Sequence, residues 1–182
     1  VRYWVRYNNA LCTSENRYDT FPALYIARDF YGHSQRLAEP FGTQTVIEGN
    51  NVAQAMPSIP SLSAARSLKL KPLRDCRYLK QGRDVVRYFH ESTEGRYYVP
   101  QMVTTGPCDT VNYATGSTLL LEGFYENPGA VHALLRMATD TIIEDILAYK
   151  AVVGERVLSD HTHLLDGCFC ICIGEWNLSA VV

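Results

Sequence analysis

The stretch Gly106–Glu155, GPCDTVNYATGSTLLLEGFYENPGAVHALLRMATDTIIEDILAYKAVVGE, decides how the chain is read. A Gly-Pro turn opens it, and Tyr113 follows seven residues after Gly106. Asn127 is placed to cap a helix, and Pro128 stands at the first turn, where a missing N–H costs nothing. Val131, Leu134, Leu135, Ala138, Ile142, Ile143 and Ile146 then recur at the helical period, which predicts a helix over Asn127–Val153. Gly154 stops it. A turn that leads into a loop and then a helix is where α/β scaffolds carry their sites.

Outward from this block, apolar and β-branched runs predict strands at Phe21–Ala27 (FPALYIA), Thr43–Glu48 (TQTVIE), Arg96–Thr104 (RYYVPQMVT), Arg156–Ser159 and Cys168–Ile173 (CFCICI). Helical segments are expected near Ser34–Glu39, Ser63–Leu68, Gln81–Ser92 and the start of Ser117–Tyr125. Met56–Leu62 (MPSIPSL) holds two prolines and is expected to be an ordered loop. Strands alternating with helices favour a mostly parallel α/β sheet.

The central block resembles the uroporphyrinogen decarboxylase superfamily, which includes the corrinoid-linked methyltransferases. The resemblance lies in Gly106, Pro107 and Tyr113, then in Asn127-Pro128-Gly129-Ala130-Val131-His132-Ala133-Leu134-Leu135-Arg136 with Thr139-Asp140 one turn on. It covers roughly a third of the chain. It implies a TIM-type (β/α)₈ barrel, which takes about 250 residues. With 182 residues, the chain is expected to hold the N-terminal half of one barrel as a single domain, 1–182. A half-barrel leaves strand edges open, so self-association or a complementary half is expected.

The resemblance implies a protein acting on a carboxylated, porphyrinogen-like or methylated small molecule. Tyr113 is the substrate-touching tyrosine, and its other reading is a tyrosine packed under a loop with its hydroxyl in water. Ser159-Asp160-His161-Thr162-His163 follows a short apolar strand. Asp160 and His161 are the candidate catalytic acid–base pair, since histidine titrates near neutral pH. Ser159 and His163 are candidate substrate contacts, as is Arg28, whose fork suits a carboxylate. Arg28 sits in a loose echo of the family's arginine loop, and the family's catalytic aspartate has no convincing match here. A decarboxylase needs no cofactor. The alternatives are a corrinoid-dependent methyltransferase, which would need corrinoid and zinc, and a non-catalytic half-barrel that needs a partner chain.

Cys168, Cys170 and Cys172 alternate along a strand. A straight ladder holds such sulfurs roughly 6–7 Å apart, too far to share one tetrahedral ion, so no metal is expected. Six cysteines in a composition that is 47% hydrophobic and 20% charged read as reduced thiols of an intracellular chain. A net charge of −2 gives no reason to expect nucleic acid. No apolar run reaches the roughly 20 residues of a membrane span. Arg2, Arg6, Asn8 and Asn9 interrupt any signal sequence, so the expected location is cytoplasmic.

Overall fold

A computed structural model describes residues 34–46, 54–95 and 105–153. Three quarters of these residues are helical, and the sheet they contain has two strands. In chain order the elements are a 3₁₀ segment η1 (Ser34–Phe41), strands β1 (Gln44–Val46) and β2 (Gln54–Met56), 3₁₀ segments η2 (Leu62–Ser67) and η3 (Leu73–Asp75), and four helices. The helices are α1 (Arg77–Ser92), α2 (Pro107–Thr115), α3 (Ser117–Glu126) and α4 (Pro128–Val153).

The half-barrel expectation is overturned for these residues. β1 and β2 pair antiparallel, with Thr45 opposite Ala55. The chain between Val46 and Gln54 is shorter than the dozen or so residues that a parallel crossover needs, so a hairpin-like pairing is the accessible one. Both strands show an exposed–intermediate–exposed pattern, unlike barrel strands buried on both faces. The expected loop after Gly106 is also absent. Gly106 has extended backbone at the cap and Pro107 stands at the first turn, so the helix starts at once. The strands expected at Phe21–Ala27, Arg96–Thr104, Arg156–Ser159 and Cys168–Ile173 lie outside the described residues.

The long helix comes close to its sequence expectation. Asn127 Oδ1 accepts from the Ala130 N–H at 3.3 Å, and Pro128 is the first helical residue. Its buried stripe runs Ala130, Val131, Leu134, Ala138, Thr141, Ile142, Asp145, Tyr149 and Val153. Ile143, expected inside, is 50% exposed.

Two apolar clusters meet on this helix. Its first half packs with Phe41, Ile59, Leu62, Val111 and Leu120, joining η1, η2, α2 and α3. Its second half gives Ile142 to a cluster with Leu37, Leu73, Cys76 and Leu79, joining η1, η3 and α1. Gly123 of α3 marks the closest approach in the first cluster. A Cβ there would stand 2.5 Å from Leu62 Cδ1 and 2.8 Å from Val131 Cγ2.

Charge fixes the second half. Asp145 Oδ2 accepts from Arg36 Nη2 at 3.0 Å, and Arg83 Nη1 lies 3.8 Å from Oδ1. The side chains of Arg36 and Asp145 are 4% and 7% exposed. Arg83 Nη2 also donates to the Leu73 carbonyl at 2.9 Å. The start of α1 is capped from a distance: the Glu39 carboxylate accepts from the backbone N–H groups of Arg77 and Tyr78. That places a negative charge at the positive end of the helix dipole.

Removing one member of a buried ion pair leaves its partners uncompensated, which costs about 3–5 kcal/mol. Asp145→Leu is therefore expected to lose that much in urea denaturation. Asp84→Asn, at the exposed pair with Lys80, is expected to lose no more than about 0.5 kcal/mol. Gly123→Ala is expected to destabilise by about 1–3 kcal/mol through overpacking, although alanine favours helix. A neutral or stabilised Gly123→Ala protein would show that α3 and α4 move apart freely.

Candidate functional site

Tyr113 is the one sequence-predicted site residue among the described residues. It sits in the last turn of α2 and is half-buried. Arg28, Ser159, Asp160, His161 and His163 lie outside the described residues. Among the described residues the sheet is a two-stranded antiparallel pair, so they contain no parallel sheet to carry the expected concavity.

On α2, Asp109, Asn112 and Tyr113 are spaced i, i+3 and i+4 and share one face. Val111 and Ala114 point into the first apolar cluster. Asp109 is fully buried, and so is Thr110, whose Oγ1 lies 3.3 Å from Thr105 Oγ1. Asn112 is half-buried, and its Oδ1 is buried without a hydrogen-bond partner. Buried polar atoms normally find partners, so an orphan acceptor beside Tyr113 is a feature with a cost.

A cleft of about 520 Å³ opens beyond the C-terminal end of α2. One wall is the two-proline loop Pro57–Pro60. The other is Thr115–Leu119 with Glu122. Its base is rigid, because the N–H groups of Ser58 and Ile59 both donate to the Ala114 carbonyl, at 2.8 and 2.9 Å. Ser58 Oγ donates to the Phe41 carbonyl at 2.9 Å. Gly116 separates α2 from α3 with φ +81°, a left-handed conformation that side-chain-bearing residues avoid. The cleft offers the hydroxyls of Ser117 and Thr118 and the Glu122 carboxylate between apolar Ile59 and Leu119. Its volume falls within the range of small-molecule sites. Tyr113 is not among its lining residues.

Sequence reasoning did not single out this cleft. Two signals pointed to it: the prolines that make Pro57–Pro60 an ordered loop, and the helix start expected at Ser117, directly after Gly116.

A second hollow of about 580 Å³ lies on the outer face of α1, among Arg77, Lys80, Gln81, Asp84, Val85, Tyr88 and Phe89. Val85, Tyr88 and Phe89 give it apolar surface beside the Lys80–Asp84 ion pair, which Arg87 extends. Lys80 holds the Asp84 carboxyl below the usual carboxylate range, chiefly through their hydrogen bond.

Among the described residues, no group of three His, Cys, Asp or Glu side chains is placed to hold a metal ion. No helix among them is long and apolar enough to cross a membrane.

Cys76 is excluded as a nucleophile. It has no exposure, and burial, reinforced by Glu39, pushes its thiol up to about 11. The thiolate is the reactive form, so Cys76 is inert at neutral pH. A raised folded pKa means that the stability tied to this proton is full below about pH 9 and is lost as the pH rises toward 11. Iodoacetamide at pH 8.5, with the labelled peptides mapped by mass spectrometry, is expected to spare Cys76 in the native chain and modify it in urea. Rapid native labelling would show that the second cluster opens locally. In comparisons with known proteins, no family model, curated protein or solved structure matches this chain.

Proposed function

We propose that the chain acts on a carboxylated, porphyrinogen-like small molecule in the manner of the uroporphyrinogen decarboxylase superfamily that its central block resembles. The observation that supports this is the block itself, Gly106 to Asp140, in which the Gly-Pro turn, Tyr113 and the Asn127-Pro128 helix start stand in the family's order. The two segments that carry the resemblance are α2 and the first half of α4, and they pack against each other. The proposal rests on these residues and not on a barrel.

In this scheme Tyr113 contacts substrate through its hydroxyl. Arg28, Ser159 and His163 hold the substrate's carboxylates and polar edge. His161, paired with Asp160, handles the proton. The bond between a side-chain carbon and its carboxylate breaks, carbon dioxide leaves, and the electron pair left on carbon takes a proton from the imidazolium. An imidazole whose pKa lies near the working pH suits this task, and such acid–base help is worth about 10²–10⁴-fold in rate. A cytoplasmic setting goes with this chemistry and with thiols kept reduced.

Anaerobic incubation with uroporphyrinogen III, followed by oxidation and separation of the porphyrins by carboxylate number, tests the proposal. Products with fewer carboxylates are expected. Tyr113→Phe should raise KM, and Asp160→Asn and His161→Gln should each lower kcat by at least about 100-fold. Unchanged octacarboxylate at high protein concentration would overturn decarboxylation. Methylation of cob(I)alamin by the same preparation, with a methylated amine or thiol supplied as donor and released as its demethylated form, would point to the corrinoid branch instead.

A further inference from the structure

We infer that the outer face of α4 is a docking surface for the same face of a second copy of this chain, the two helices running antiparallel around Ile143 and Leu147. None of the residues in this seam has a part in the proposed decarboxylation.

Ile143 and Leu147 are 50% and 56% exposed, one turn apart on the side of α4 opposite its buried stripe. Neither belongs to the two apolar clusters that meet on this helix. Arg136, Asp140, Ile143, Leu147 and Lys150 follow one another at steps of 4, 3, 4 and 3 residues. That alternation is the spacing of a coiled-coil seam, in which each side chain seats among four residues of a facing helix. A single exposed leucine on a surface is ordinary. Here two branched apolar side chains occupy consecutive seam positions in the second half of a 26-residue helix.

The charges on either side of the apolar pair select the occupant. Asp140 is exposed and Lys150 half-buried. Place a two-fold axis level with Asp145 and the helices antiparallel: Ile143 then meets Leu147 of the second copy, and Asp140 meets its Lys150. Each contact occurs twice, so two apolar layers lie between two layers of opposite charge. A parallel pair would set Asp140 against Asp140 and Lys150 against Lys150, which repel. Lys150 also has an interaction within its own chain, and the three N–H donors of an ammonium can serve a second acceptor. From Asp140 to Lys150 the seam is about 15 Å long. The contact is therefore small for a specific interface, and a weak dimer is expected, with Kd on the order of 100 μM.

Sedimentation equilibrium of the full chain, from about 10 μM to about 1 mM, reads the association directly. The wild type is expected to pass from monomer to dimer over this range. Leu147→Glu puts a carboxylate into both apolar layers and should raise Kd at least about tenfold. It should leave Tm within a few degrees of wild type, because exposed helix positions tolerate substitution. Asp140→Lys and Lys150→Glu each set like charges opposite one another at two places, and each should weaken the dimer about tenfold. Asp140→Lys combined with Lys150→Glu brings opposite charges together again, and Kd should return to within about threefold of wild type.

A wild-type chain that stays monomeric at about 1 mM would overturn the inference. So would a dimer indifferent to Leu147→Glu, since it would associate through another surface. A large fall in Tm for Leu147→Glu, or its failure to fold, would mean that other residues of the same chain cover Leu147, and that too would overturn it. The charge variants test the register separately. A double variant no tighter than Asp140→Lys alone would exclude the contact between Asp140 and Lys150, and with it the antiparallel pair.

Discussion

A carboxylate sealed between two guanidiniums cannot be left half-paired, and this constraint orders the described part of the chain. Asp145 lies on the buried stripe of α4, where an uncompensated charge is costly. Arg36 reaches it from η1 and Arg83 from α1. Three elements far apart in sequence therefore meet at one point. Apolar packing alone would tolerate sliding along α4, whereas the ion cluster fixes the register.

The rest follows from the length of α4. At 26 residues it extends about 39 Å. No other described element is long enough to cover it, so its stripe is shared. η2, α2 and α3 cover the first half, and η1, η3 and α1 the second. Gly123 lets α3 lie close against the first half. Gly116 turns the chain sharply enough for α2 and α3 to lie on the same helix, and that turn forms one wall of the cleft.

The helices were largely legible in the sequence, because a period of 3.6 and a capped start are local properties. The Asn127-Pro128 start of α4 and the heart of α1 came directly from residue order. Three things were not legible. Asp145 reads as a surface acid in a period analysis, since only the arrival of Arg36 and Arg83 makes its burial tolerable. The helix α2 was hidden because Gly-Pro signals both a turn and a helix start, and the choice depends on what packs against the residues that follow. The topology of the β1–β2 pair depends on connection length rather than on strand propensity, and the barrel expectation came from the resemblance of the central block. At the site, Tyr113 was visible through its spacing from Gly106. The unpaired oxygen of Asn112 was not, because whether an acceptor is satisfied is a tertiary fact.

The Glu39 cap has a consequence for the order of assembly. The first turn of α1 is closed by a carboxylate 38 positions earlier in the chain. Helices usually cap themselves from neighbouring residues and so can nucleate alone. Here the amide protons of Arg77 and Tyr78 find their acceptors only after η1 has docked. Closing such a loop is slow beside helix growth, so the start of α1 is a late event rather than a nucleus. In a hydrogen–deuterium exchange experiment these two amides would report on the docking of η1, and through Arg36 on the ion cluster itself, while the amides at the middle of α1 report only on the helix.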